Sequence, residues 1–151
     1  LEPEMGTMQD EQFCFVQGNG CELTYENQSF DIAFSNSVIE HVGGWSEQER
    51  FAKEIRRVGK RVWVQTPARI SPVETHFLTL FVHWFPISIR KPLLRWTSIR
   101  RLFDLNATEI DTMAAEIRLL TYEEFKKLFY DCEIHTERFW VFPKSYIALR
   151  R

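Results

Sequence analysis

Residues 30–65 read FDIAFSNSVIEHVGGWSEQERFAKEIRRVGKRVWVQ, and this stretch decides the fold class. The mostly apolar residues 30–35 predict a buried strand, and residues 61–65 predict a second one. Between them, apolar residues at helical spacing predict a helix over residues 47–58. A strand, a helix and a second strand at this spacing predict a right-handed crossover within a parallel sheet.

Capping residues are predicted at both ends of this helix. Ser46 can cap the amino end, and Glu49 can complete a capping box three residues later. Gly59 is expected to end the helix in the left-handed conformation. A second capping box, Thr121 with Glu124, predicts a short helix near the end of the chain.

The chain is predicted to end in a hairpin. Residues 133–142 and 146–149 are typical of strands, and Pro143 and Lys144 are typical of a turn between them. Two strands joined by a tight turn are antiparallel, whereas the crossover requires parallel strands. The sequence therefore predicts an α/β fold with a mixed sheet.

The remaining segments give weaker patterns. Residues 13–17 are an apolar run that predicts another buried strand, ending in a loop at residues 18–20. Residues 76–84 and 93–105 are predicted to be helical, with prolines interrupting the stretch around them.

The composition indicates one compact domain in a reducing compartment. The 151 residues are 44% hydrophobic and 26% charged, which is an ordinary globular balance. A net charge of −2 gives no support for nucleic-acid binding, although residues 1–50 hold ten acids and one base, Arg50. Cys14, Cys21 and Cys132 form no CxxC pair, and no export signal is evident, so we expect reduced thiols and a cytoplasmic location.

Four motifs, in chain order, resemble those of class I (Rossmann-like) S-adenosylmethionine-dependent methyltransferases, with a type 11-like methyltransferase domain. Residues 16–20 resemble the end of the third strand of that family, and residues 30–42 resemble its fourth-strand motif. Residues 54–59 resemble the helix before the fifth strand, and residues 64–67 the end of that strand. The closing helix and hairpin also fit.

The resemblance implies a sheet of order 3-2-1-4-5-7-6 with an antiparallel seventh strand and helices on both faces. The cofactor, S-adenosyl-L-methionine, would lie across the carboxyl ends of strands one to four. The first two strands, with the glycine-rich loop and the acidic residue that holds the ribose, are expected to be absent. We therefore expect a single partial domain, inactive alone. Its exposed strand edges should either let the third strand collapse elsewhere or favour pairing with a second copy.

Within residues 1–151, the resemblance divides the domain into three regions. Residues 1–69 would supply the cofactor-side strands and the crossover helix. Residues 70–115 would form a lid or substrate insertion, and residues 116–151 the closing helix and hairpin.

The residues that follow the third and fourth strands are the candidates for cofactor binding. By resemblance, Asn19 stands where the family often has an Asp that accepts a hydrogen bond from the adenine amino group, and an Asn oxygen can still accept it. The loop after the fourth strand would pass beneath the methionine part of the cofactor. The alternative for these small polar residues is turn and capping chemistry. The candidates are Gly18, Asn19, Gly20, Cys21, Ser35, Asn36, Ser37 and His41.

His41 is also the one candidate for a catalytic role. It could take a proton from the nucleophile or orient the substrate, or it could instead pack beneath the cofactor. Many methyltransferases need no base, because in-line placement of the nucleophile and the methyl group suffices. The candidates for substrate contact are Pro67, Arg69, His76, His83 and Trp84. A metal site built on Glu74, His76 and His83 lacks a fourth ligand, so no metal is expected.

Residues 87–103 combine five basic residues with aromatic ones and contain no acid. Such a segment could cover a hydrophobic small-molecule acceptor or touch a membrane surface, or it could be a lid helix with a solvated basic face. Two other functions remain open: a non-catalytic Rossmann-like binding or scaffold module, and a fragment of a nicotinamide-dependent oxidoreductase, which shares the doubly wound sheet.

Overall fold

A four-stranded mixed sheet carries the fold in the computed structural model, which describes residues 14–71, 73–74, 79–80, 88–89 and 117–151. The elements in chain order are β1 Phe30–Asn36, a 3-10 turn Ile39–His41, α1 Trp45–Val58, β2 Gly59–Pro67, β3 Val73–Glu74, β4 Thr79–Leu80, α2 Tyr122–Leu128, β5 Glu133–Phe139 and β6 Phe142–Arg150. The short strands β3 and β4 pair with each other, separately from the main sheet.

The order of the main sheet is β1-β2-β6-β5. β1 is parallel to β2, with Phe30 opposite Gly59, and α1 forms the crossover between them. β6 is antiparallel to both β2 and β5. The predicted mixed α/β fold, with a parallel crossover unit and a closing hairpin, is therefore confirmed. The strand order equals the 4-5-7-6 portion of the order that the resemblance implies.

α1 and α2 pack on the same face of the sheet. The buried side chains of that face include Val62 and Val64 of β2, and Phe51 of α1 and Phe125 of α2 belong to the same buried cluster. On the opposite face, Phe34 is 65% exposed and stacks on Trp63, with 4.6 Å between ring centroids. Helices covering that second face stay a prediction.

Gly59 does not end α1 in the left-handed conformation, so this prediction is wrong. Its φ of −90° and ψ of 133° are extended, and it begins β2 directly. A Cβ atom here would lie 2.6 Å from the Cβ of Ala33 and 2.6 Å from the carbonyl oxygen of Arg61. Glycine is therefore required by the close approach of β1 and not by a turn.

The predicted amino-terminal cap of α1 is also wrong. The N-cap is Gly44, and Ser46 lies inside the helix, where its hydroxyl donates to the carboxylate of Glu47 at 2.9 Å. The helix begins earlier because Gly43, with a φ of 120°, allows a sharp bend just before it. The second capping box is confirmed: Thr121 and Glu124 bond each other's backbone amides.

None of the helices in the described ranges is long and apolar enough to cross a bilayer.

The turn of the hairpin lies at Trp140 and Val141 and not at Pro143 and Lys144 as predicted. Trp140 adopts a left-handed φ of 56° at the apex. Pro143 fits within β6 because β2 pairs with this strand only from Ser145 onward. A missing N–H at that position therefore removes no bond to β2.

Two further predictions fail where the structure describes them. Residues 14–17 are not a buried strand: they belong to none of the named strands, and Phe15 and Val16 are 58% and 63% exposed, so this apolar run does not pack into the core. Residues 79–80 form β4 and not part of a helix, since they pair with Val73–Glu74. The rest of the predicted helix over residues 76–84, and the one over residues 93–105, lie outside the described residues.

Asp131 joins three elements at the edge where β2 begins. It accepts hydrogen bonds from Arg56 of α1 at 2.5 Å and from Arg150 of β6 at 2.6 Å. Burial alone would raise the pKa of this carboxyl group, but the bonds from the two arginines lower it below its ordinary value. Arg56 also lies 4.0 Å above the ring of Tyr130. This cluster fixes the ends of α1 and β6 together.

Candidate functional site

The chain turns sharply just after β1. Ser37 has a left-handed φ of 53°, which is uncommon for a residue other than glycine. Its backbone amide donates to the carbonyl oxygen of Gln65 at 3.0 Å, and its hydroxyl donates to the side-chain oxygen of Gln65 at 3.1 Å. The end of β2 therefore holds the loop after β1 in a defined conformation. Asn36 and Ser37 are both exposed at this edge of the sheet.

Ser35 differs from its two neighbours because it is buried, with 5% exposure. Its hydroxyl oxygen has no hydrogen-bond partner among the described residues. Buried polar atoms are normally satisfied, and this one lies at the carboxyl end of a strand, the end at which ligands bind in open α/β sheets.

The 3-10 turn places Glu40 inside the protein and His41 outside. Glu40 is fully buried, and its carboxylate accepts a hydrogen bond from the hydroxyl of Thr66 at 2.9 Å. His41 is exposed, and its amide donates to the carbonyl oxygen of Val38 at 2.9 Å. Glu40 thus fixes the backbone that presents the His41 imidazole at the edge of the sheet.

Gln48 of α1 connects this turn to the segment that leads into α2. Its side-chain amide is fully buried and donates to the carbonyl oxygens of Ile39, at 3.0 Å, and Arg118, at 2.8 Å. Arg118 returns a bond to the Gln48 oxygen at 2.5 Å, and its guanidinium also pairs with Glu124. The amide of Arg118 donates to the carbonyl oxygen of Glu40 at 2.9 Å. One buried polar network therefore supports the loop after β1 from its interior side.

The loop at residues 18–21 is a tight turn. The side-chain oxygen of Asn19 accepts from the amide of Cys21 at 3.0 Å, and its carbonyl oxygen accepts from the amide of Glu22 at 3.0 Å. Asn19 therefore performs the turn chemistry that was its alternative role. Because a carbonyl oxygen has two lone pairs, the same atom can still accept a bond from a ligand. Gly18 is exposed, and a Cβ there would meet nothing within 4 Å.

This turn rests on α1. A Cβ on Gly20 would lie 3.0 Å from two ring atoms of Phe51, and the Cys21 thiol donates to the carbonyl oxygen of Glu47 at 3.3 Å. Burial raises the pKa of the Cys21 thiol, which makes it a poor nucleophile and leaves its backbone as the group a ligand could use.

Both candidate segments lie toward the same edge of the sheet. The chain passes from the carboxyl end of β1 into the first turns of α1, and Cys21 contacts α1 at Glu47, within those turns. From there the chain descends along α1, where Arg57 binds the carbonyl oxygens of Leu23 and Tyr25. The carboxyl edge of a parallel sheet is where ligands bind in open α/β folds.

The structure describes only part of the expected substrate site. Pro67 is half-buried at the end of β2, and Arg69 is exposed, with its amide donating to the carbonyl oxygen of Leu120 at 3.1 Å. His76, His83 and Trp84 lie outside the described residues. Within the described ranges, no three acidic, His or Cys side chains are grouped so as to hold a metal ion.

Sequence reasoning missed the supporting residues Glu40, Gln48, Thr66 and Arg118. A signal for Gln48 was present: it precedes Phe51, Ala52 and Ile55 at helical spacing, which puts a polar residue on the buried face of α1. Buried polar residues are normally hydrogen-bonded, so its position alone pointed to a network. Arg118 carried no comparable signal, because its partners are distant in the sequence.

Comparison with known proteins agrees with the resemblance. Residues 4–61 match the family model described as a methyltransferase domain, which confirms the class I methyltransferase resemblance over that part of the chain. That region includes every cofactor-binding candidate. Among curated proteins, no sequence matches.

Two solved structures are similar in fold. One is a SAM-dependent methyltransferase of Methanosarcina mazei, with 17% identity and a TM-score of 0.49 over 87% of this chain and 63% of that chain. The other is a presumed O-methyltransferase of Nostoc punctiforme, with 13% identity and a TM-score of 0.46 over 89% of this chain and 35% of that chain. The present chain thus spans less than two thirds of either protein.

Proposed function

We propose that the chain carries part of the S-adenosylmethionine site of a methyltransferase that acts on a hydrophobic small-molecule acceptor. The observation that carries the proposal is the arrangement at the carboxyl edge of the sheet. There, β1 ends with the buried hydroxyl of Ser35 and the exposed side chain of Asn36, and the exposed Ser37 follows directly. The methyltransferase-domain match over residues 4–61 covers the same residues.

The residues present suit such a cofactor. The turn at residues 18–21 offers backbone groups and the second lone pair of Asn19 to a nucleobase. The buried hydroxyl of Ser35 has no hydrogen-bond partner among the described residues, which costs free energy. A hydrogen bond to the cofactor would offset that cost. When bound, S-adenosylmethionine supplies an activated methyl group on a good leaving group.

The protein's own contribution would be placement. Ser37, held by Gln65, and Glu40, held by Thr66, fix the loop that would lie beneath the donor. A rigid loop keeps the acceptor atom in line with the methyl group, and such orientation can supply much of the rate enhancement. His41, exposed on the same turn, is the group that could remove a proton from the acceptor.

Ser35→Ala tests the cofactor site most sharply. Because the hydroxyl bonds to no described residue, its removal should leave the free energy of unfolding within about 0.5 kcal/mol of the original. If the cofactor uses that hydroxyl, affinity should fall by roughly threefold to tenfold, the value of one hydrogen bond. Calorimetric titration with S-adenosylmethionine, in the intact protein that carries these residues, measures the change.

Ser145→Ala is the matched control. Ser145 is equally buried, but its hydroxyl already donates to Glu137. Its loss should therefore lower stability by about 1 kcal/mol and leave cofactor affinity unchanged. If no heat of binding appears in the intact protein, or if both variants bind the cofactor as the original does, the proposed contact is wrong.

His41→Ala separates catalysis from binding. If His41 acts as the base, methyl transfer should slow by at least about a hundredfold at saturating cofactor, with little change in cofactor affinity. Methyl transfer at the original rate would remove His41 from the mechanism and leave placement as the source of catalysis.

A further inference from the structure

The tip of the β5–β6 hairpin exposes four consecutive large apolar side chains. Phe139 is 67% exposed, Trp140 88%, Val141 73% and Phe142 45%. Single exposed apolar residues are common on protein surfaces, but a contiguous group at a protruding turn marks an interaction site. The left-handed φ of Trp140 puts the largest of these side chains at the apex.

The tip projects from the same edge of the sheet as the candidate site. Ser145 of β6 lies opposite Pro67, the last residue of β2, so the residues before Ser145 extend beyond that end. The amide of Ala68 donates to the carbonyl oxygen of Lys144 at 2.9 Å, which fixes the base of the tip beside the end of β2. The loop after β1 ends at this edge as well, since Ser37 is bonded to Gln65.

Basic side chains flank the apolar tip. Arg138 is exposed, and its guanidinium donates to the carbonyl oxygen of Val141 at 3.2 Å, which keeps the charge close to the apex. On the other strand, the side chain of Lys144 is 57% exposed. Among the described residues of the hairpin, the acid nearest the tip is Glu137, which accepts a hydrogen bond from Ser145 and lies 3.9 Å from the Lys144 ammonium. The tip therefore presents an apolar apex with positive charge beneath it.

We propose that this tip, residues 139–142, inserts into the surface of an anionic lipid bilayer. A small ligand needs a concave site that encloses it, whereas this turn is convex. Trp and Phe side chains favour the interface between headgroups and acyl chains, and basic residues just behind them attract anionic headgroups. A protein partner would also have to supply a groove that matches four adjacent apolar side chains, and the positive charge favours the lipid.

Flotation with lipid vesicles tests the proposal on the 151-residue chain. Vesicles of phosphatidylcholine containing phosphatidylserine should bind the protein more tightly than vesicles of phosphatidylcholine alone, and the difference should shrink at high salt. Trp140→Ser should weaken binding to both vesicle types by about tenfold or more, because it removes the largest inserting side chain.

Tyr130→Ser is the matched control. Tyr130 is also strongly exposed, at 75%, but it lies at the opposite edge of the sheet, just before Asp131 and the start of β5. Its loss should leave vesicle binding unchanged.

Trp140→Phe keeps an apolar ring at the apex, so it should retain most of the binding even if Trp140→Ser fails to fold.

Depth and oligomeric state complete the test. Lipids brominated near the headgroup should quench the tryptophan fluorescence of the original protein more than that of Trp140→Phe. If the folded protein binds neither vesicle type, or if Tyr130→Ser weakens vesicle binding as much as Trp140→Ser, the proposal is wrong. If Trp140→Ser instead separates a dimer without any vesicle binding, the tip is a contact between copies. Cofactor binding does not enter any of these readouts, so their failure is separate from failure of the proposed methyl transfer.

Discussion

Gln48→Met removes the centre of the polar network beneath the candidate site while keeping the length and volume of the side chain. The original amide donates to two carbonyl oxygens, those of Ile39 and Arg118, and its oxygen accepts from the Arg118 guanidinium. Methionine can make none of these bonds. The substitution therefore tests whether the network supports the loop after β1.

The expected loss in the free energy of unfolding depends on whether water can replace the hydrogen bonds that Ile39 and Arg118 lose. Ile39 is fully buried, so its carbonyl oxygen loses a hydrogen bond where water is excluded, which costs about 1–3 kcal/mol. The Arg118 side chain is 32% exposed and keeps its pair with Glu124, so water can replace most of its lost bond. We expect a loss of about 2 kcal/mol in the free energy of unfolding. For a domain of this size that corresponds to a fall in Tm of roughly 4–8 °C.

Urea unfolding measures this loss, with Gln17→Met as the control. Gln17 is exposed, so the same chemical change should alter stability by less than about 0.5 kcal/mol. Amide hydrogen exchange adds a local readout: the Arg118 amide, bonded to the Glu40 carbonyl oxygen, should exchange faster in Gln48→Met. Equal stability of the two variants, with unchanged exchange at Arg118, would show that the Gln48 bonds do not support the loop after β1.

Three further predictions concern the fold. Gly59→Ala should lower stability by about 2 kcal/mol or more, because the added methyl would overlap β1; a gain, as glycine replacement in a strand usually gives, would contradict the close approach. Thr121→Ala should cost about 1 kcal/mol in chemical unfolding by removing the cap shared with Glu124, and an unchanged midpoint would show that the cap contributes nothing. Asp131 has a lowered pKa in the folded state, so its pairs stabilise the protein at neutral pH and lose that effect as pH falls below its ordinary value of 3.8. Asp131→Asn should therefore be less stable at pH 7 and lose less stability than the original on acidification, as thermal unfolding between neutral and acid pH will show.

The sequence was most informative where local patterns and tertiary contacts agree. β1, α1 and β2 follow from apolar runs and helical spacing, and the cap at Thr121 follows from residues three apart. The predictions that proved wrong concern residues whose structural role depends on a strand that is distant in the sequence. Gly59 looked like a helix terminator, but it is small because β1 lies against it. Pro143 looked like a turn, but the absence of a β2 neighbour lets it sit within β6.

In the candidate site, too, the features set by local sequence were predictable and those set by distant residues were not. Ser35 and Ser37 could be placed around the end of a strand from sequence alone, because turns and strand ends have local signals. Ser35 is buried because its face of the sheet is the one that α1 covers, whereas Ser37 is exposed because the chain leaves the strand there in a left-handed turn. That turn is bonded to Gln65, which is 28 residues from Ser37. The network through Gln48 and Arg118 spans 70 residues, so no local pattern reports it.

The turn at residues 18–21 and the segment at residues 35–41 are proposed to line one nucleoside-binding edge of the sheet. Amide chemical shifts of the ¹⁵N-labelled intact protein that carries these residues, followed while S-adenosylhomocysteine is added, test it residue by residue. We expect concentration-dependent shifts of the amides in both segments and unchanged shifts for the amides of β5 near Glu133, at the opposite edge of the sheet. Shifts confined to other parts of the protein, or shifts in only one of the two segments, would contradict a shared site.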